Sequence, residues 1–269
     1  MSKKISSFAT VATAVTLLFS TALTALRIYL MQNAYDFTKG FYTNRGLHLV
    51  LRYTLIAIAV IAFVAAYVYI KEDKKEKGVD FPKPFIISTY ICTVVFAGFI
   101  LYTFAKLVLP NLNDPAGTDL LACVFAAIAL LYFISFEKCN IKLGDSRSLL
   151  CAGTALCLLA IVFGLYFNKN ISYVNHSVVL LYATAIFLML TTVAEANSFI
   201  RRPFIKRYLA YAPTAVILSF TLSVSDIVYT LSNKVSPITD VIYDIVILSL
   251  GFFHLARLIA VCQAAKVKD

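Results

Sequence analysis

Eight runs of mainly apolar residues follow one another along the chain, at 6–31, 47–70, 85–109, 118–136, 149–167, 178–198, 209–231 and 238–262. Each approaches the length of about 20 residues that a helix needs to cross a bilayer, and roughly twice that of a barrel strand. In hydrocarbon the backbone must satisfy its own polar groups, so runs of this length imply helices. The expected fold is all-α: a polytopic bundle of about eight transmembrane helices, forming one domain over residues 1–269. The breaks between runs are short and polar or proline-containing, and none is long enough for a soluble domain.

Composition excludes the main rival. Of the residues 61% are hydrophobic and 14% charged, against about 45–50% and 25% in soluble domains. The net charge of +10 would point to nucleic acid in a soluble protein. Here most basic residues fall in loops between apolar runs, where they set orientation. With the N-terminus inside, outer loops carry only Lys39, Arg45, Lys169 and Lys234. Both termini are therefore expected in the cytoplasm, in a multi-pass protein of the cell membrane. The partners implied are the lipid bilayer, an unknown small solute or ion, and another membrane protein; nucleic acid is not among them. The first run is longer than a signal-peptide core and has no clean cleavage site, so it reads as an uncleaved span.

Charges inside the spans are costly and tend to face the bundle interior in pairs. Successive helix residues turn by about 100°, so each face can be read off. The last run aligns Asp240, Asp244, Ile247, Gly251, His254 and Leu258, with Arg257 close by, and Gly251 is where a neighbouring helix or ligand can approach closely. The seventh aligns Ala215, Ser219, Ser223, Asp226 and Thr230, and the first aligns Thr13, Thr16, Ser20, Thr24 and Arg27. The fourth has almost no polar residue in its middle and is expected at the lipid-facing periphery. By depth, Arg27, Arg52, Lys106, Asp226, Asp240 and Asp244 form an outer layer of three cations and three anions. They are the candidate substrate-binding residues. Glu195, His254 and Arg257 form a smaller inner polar cluster. Each set has a structural alternative: Arg27 paired with Asp226 or Asp244 locks helices together, Glu195 pairs with Arg201 or Arg257, and His254 is a packing histidine.

No catalytic signature is present. There is no H-E-x-x-H, no G-x-S-x-G, no phosphate loop and no dinucleotide turn. His48 and His176 fall on the outer side and His254 near the inner side, which argues against a shared metal site. The six cysteines form no C-x-x-C pair and read as small buried hydrophobes. No cofactor, metal or catalytic residue is assigned.

The first outer loop, LRIYLMQNAYDFTKGFYTNRG, places an arginine at a helix end, then an aspartate, then Gly-Phe-Tyr. Gly40 is expected to allow the reversal between the first two spans. This loop resembles a pattern in uncharacterised polytopic inner-membrane proteins of low-GC Gram-positive bacteria. The resemblance covers about 25 residues and the general layout. It implies a bacterial inner-membrane location and carries no activity. The leading functional reading is a small solute transporter or solute-binding membrane protein with an outward-facing polar cavity. Pro213 and Gly251 are its candidate flexing points. The rivals are a non-catalytic scaffold or sensor subunit and an intramembrane enzyme acting on lipid or peptide.

Overall fold

The computed structural model describes residues 3–36, 40–70, 82–108, 117–136, 144–167, 175–200, 204–233 and 241–266. The described residues form eight helices and one small hairpin. The helices are α1 (Lys3–Ala34), α2 (Arg45–Tyr69), α3 (Lys83–Val108), α4 (Gly117–Ile134), α5 (Gly144–Phe167), α6 (His176–Phe199), α7 (Ile205–Asn233) and α8 (Val241–Lys266). They coincide with the eight apolar runs. Seven are long and apolar enough to cross a membrane, and α4 is shorter, with its apolar part at Thr118–Ile134. The chain is an all-α multi-pass membrane bundle.

Between α1 and α2 the loop folds into a two-stranded antiparallel hairpin, β1 (Tyr35–Asp36) and β2 (Phe41–Tyr42), which hydropathy alone does not reveal. Gly40 sits at its turn with φ +68°, a left-handed conformation that glycine adopts without steric cost. Asn44 caps α2 by accepting from the Leu47 amide at 3.2 Å, and Asn175 caps α6 by accepting from the Ser177 amide at 2.9 Å.

Helices α7 and α8 lie at the centre. α7 packs against α1, α2, α6 and α8, while α8 also packs against α1, α3 and α6. On the other side, α3, α4, α5 and α6 continue as successive neighbours. The largest core cluster joins Phe85, Phe96, Phe99, Phe133 and Phe253 with alanines of α4 and cysteines of α5. Cys92, Cys151 and Cys157 are buried and free, each with its thiol against a carbonyl of a neighbouring helix. Cys139 and Arg201 lie outside the described residues.

Among the described residues α4 makes its substantial contacts with α3 and α5 alone, with Ala122, Ala126, Ala129 and Phe133 buried on one face and Leu120, Leu121 and Val124 exposed on the other. Apolar neighbours give no hydrophobic drive in lipid, so small residues that permit close backbone approach decide which face packs. The least buried span is α2, whose Val50, Tyr53, Val60, Ile61 and Val64 all lie exposed.

Gly251 takes the close-approach role that its place in the polar stripe implied. A Cβ built there would lie 2.8 Å from the Ser219 Cβ of α7. It is a contact point between the two central helices. Gly251→Ala gains about 1 kcal/mol of helix propensity but overpacks the contact at about 1–3 kcal/mol. A lower thermal midpoint in detergent is expected, and Ser219→Gly in the same chain should restore most of it.

Candidate functional site

The site is built on the α1–α2 hairpin. The hairpin docks on the start of α6: the Gly40 carbonyl accepts from the His176 amide at 3.1 Å. A Cβ at Gly40 would meet the Asn175 side chain at 2.7 Å, so glycine serves here for space as well as for φ. The Tyr35 hydroxyl donates to Asn175 Oδ1 at 3.3 Å. Burial raises the Tyr35 phenol above its ordinary pKa, which keeps it a donor.

Directly beneath, Arg27 of α1 is completely buried. A guanidinium has five N–H donors, and its three nitrogens all find acceptors. Nε donates to the Tyr42 hydroxyl at 3.3 Å. Nη1 donates to the Thr221 and Leu222 carbonyls of α7 at 3.0 and 2.6 Å. Nη2 donates to Ser177 Oγ at 3.0 Å and to Asp226 Oδ1 at 2.6 Å. One side chain thus ties α1 to α7, to α6 and to the hairpin. The Arg27–Asp226 pairing expected from the polar stripes is formed.

Beside this pin lies a cleft of about 540 Å³. One wall is a face of α2: His48, Leu51, Arg52, Leu55, Ile56 and Ala59. The facing wall comes from α6, through His176, Val179, Leu180, Ala183 and Phe187. Both sets recur at helical spacing. Arg27, Tyr42, Thr214 and Leu218 also line it. The two walls belong to helices that share no substantial packing contact, since α2 leans on α7 and, less, on α1. Ile56 and Val179, one on each wall, are exposed on the side of the bundle.

The mouth is aromatic and cationic. His48 and His176 stack across it, with ring centroids 3.9 Å apart and planes within 10°. Tyr42 stacks on both, at 5.1 and 5.5 Å. A second hollow of about 630 Å³ shares Tyr42, His48, Arg52 and His176, and adds Asp36, Phe41, Thr43, Arg45 and Leu49. No family model matches this chain, and no curated protein or solved structure is significantly similar to it. The chemistry of the site is therefore carried by these residues alone.

The sequence-predicted outer layer is only partly assembled. Arg27 and Asp226 form the buried pair, and Arg52 lines the cleft that Arg27 also lines. Asp244 is 2% exposed and feels the charges of both Asp226 and Arg27. Among the described residues no donor reaches its carboxyl, because the Arg27 donors are spent elsewhere. Lys106 lies over the Tyr102 ring of α3 at 4.7 Å and lines neither hollow. Asp240 lies outside the described residues. Tyr42, His48 and His176 were not among the residues that stripe reasoning selected. The usable signal is that His48 and His176 each fall in the first turn of an even-numbered helix, hence at the same end of the bundle.

In the inner cluster Arg257 and Glu195 pair with each other. Arg257 Nε lies 3.0 and 3.2 Å from the two Glu195 oxygens, both residues buried. Phe85 and Phe204 lie near its guanidinium, each ring centre 5.7 Å away. The Tyr208 hydroxyl stands 3.3 Å from His254 Nδ1 and 3.2 Å from the His254 carbonyl. His254 Nε2 has no partner among the described residues. Among them, too, no group of three or more His, Cys, Asp or Glu side chains is arranged to hold a metal ion.

Breaking a buried ion pair from one side strands the other charge, at about 3–5 kcal/mol. Asp226→Asn should lose stability of that order in denaturant titration in detergent. Asp244→Asn removes a carboxyl without a donor and should change stability by less than about 1 kcal/mol or raise it. Equal losses in the two variants would contradict the assignment of the pin to Asp226.

Proposed function

We propose that the chain is a solute-binding or solute-transporting membrane protein whose solute is an amphiphile seated between α2 and α6. The observation that carries this is the cleft itself, polar at the hairpin end and aliphatic along its length. Its volume falls in the range of small-molecule sites, which are mostly apolar with a few placed polar groups. The distribution of basic residues among the loops supports an orientation with the hairpin end outside the cell, and the resemblance of the first loop supports a bacterial inner membrane. In that orientation the mouth opens outward. A proline within α7, Pro213, precedes the cleft-lining Thr214 and leaves the Leu209 carbonyl without its helical donor. That is a point where α7 can yield beside an occupant.

A second reading draws on the closure of both ion pairs. Arg27 with Asp226 and Arg257 with Glu195 are buried and satisfied, as a non-catalytic scaffold or sensor subunit requires. The two readings part on a steric test. Ala59→Trp places an indole in the cleft, whereas Ile61→Trp places one on the 65% exposed lipid face. A fluorescent acyl-chain probe should bind the wild type and Ile61→Trp, raise their thermal midpoints by mass action, and fail to bind Ala59→Trp. Equal binding by all three, or by none, would favour the scaffold.

A further inference from the structure

The seating of an amphiphile between α2 and α6 is the premise here. We propose that the polar end of that amphiphile is an anionic phosphate group, carried on a bilayer lipid and held at the mouth by Arg52 and Arg45 with the imidazoles of His48 and His176.

Cations outnumber carboxylates at the mouth. Arg45, His48 and Arg52 fall within about 60° of each other around α2. Both arginines line the outer hollow with His176, and Asp36 is the one carboxylate among the described residues that line it. Arg27 and Arg257 are each matched by a carboxylate. In contrast, no described residue accepts a hydrogen bond from Arg45 or Arg52. Arg52 stands seven residues beyond Arg45, about 10 Å further along the helix. A cation at such a depth is costly unless it meets an anion or water.

The remaining donors suit a tetrahedral oxyanion. His176 Nδ1 faces the Tyr42 amide at 3.5 Å, which leaves Nε2 to carry the hydrogen of the neutral ring. His48 sits against it from the other wall, and Arg52 acts electrostatically on both rings. These groups come from both walls of the mouth. Several oxygens in a tetrahedron use that arrangement better than one planar carboxylate, which a single arginine already matches.

The length below the mouth identifies the source as lipid. From His176 to Phe187 the α6 wall runs about 16 Å, close to half of the roughly 30 Å hydrocarbon core. One acyl chain of one leaflet spans that distance. The lining there is Leu55, Ile56, Ala59, Val179, Ala183 and Phe187. Exposure of Ile56 and Val179 lets a chain enter sideways from the bilayer. A free phosphate would use the mouth and leave this wall idle.

The test uses the full chain, purified in detergent and stripped of lipid. Phosphatidylglycerol and phosphatidylcholine with identical acyl chains are titrated separately, and inorganic phosphate alone is a third arm. Binding is read by native mass spectrometry and by thermal midpoint. The wild type should hold phosphatidylglycerol more tightly than phosphatidylcholine. Arg52→Gln should weaken phosphatidylglycerol roughly tenfold or more and leave phosphatidylcholine unchanged. Arg52→Lys, which keeps the charge but loses the fork, should fall between. Ala59→Trp should remove both lipids. Equal affinities for the two lipids, unmoved by Arg52→Gln, would overturn the headgroup assignment while the cleft still binds. Binding of both lipids that survives Ala59→Trp would overturn the cleft reading itself. Stabilisation by inorganic phosphate alone, matching that by phosphatidylglycerol, would overturn the lipid source.

Discussion

One guanidinium organises the hairpin end of this protein. A charge in hydrocarbon is tolerated only when its partners are fixed around it, and Arg27 meets that condition through one carboxylate, one serine, one tyrosine and two backbone carbonyls. Those partners come from α6, α7 and the hairpin. Satisfying one buried cation therefore sets where three elements stand relative to α1. The hairpin then closes on the α6 cap through Gly40 and Asn175.

The cleft is a consequence of this arrangement. α6 is held to α1 and the hairpin by Arg27 and Ser177, while α2 leans on α7. Nothing of comparable strength draws α2 and α6 together. Below the stacked His48 and His176 their facing residues are mainly aliphatic, and in lipid aliphatic surfaces gain little by meeting each other rather than an acyl chain. An opening between them costs little where lipid fills it. Its mouth keeps an excess of cations, Arg45 and Arg52 against the one carboxylate Asp36 among the described lining residues, unlike the inner pair Arg257 and Glu195, which closes on itself.

The spans were legible because hydropathy and length are local properties, and all eight runs became helices. The Arg27–Asp226 pair was legible too, because depth and helical phase together place two residues on facing stripes. Other features needed tertiary information. Lys106 shares the depth of Arg27 but stands on α3, which packs on α4 and α8. Depth sorts residues into layers without saying which helices touch. The close approach at Gly251 was legible from its polar stripe, but that Ser219 of α7 is what meets it was not. The stacked His48 and His176 come from helices far apart in sequence, brought together by the hairpin lying over α6. No periodicity within either helix records that.

The central claim is that α2 and α6 are parted by an occupant and not merely apart. A cryo-electron microscopy map of the protein in nanodiscs of its native lipid tests this most directly. The account predicts an elongated density between the two helices, with its denser end against Arg52, His48 and His176 and its tail beside Ala59 and Ala183. A map in which α2 packs directly on α6, with Ile56 against Val179 and no density between them, would contradict it.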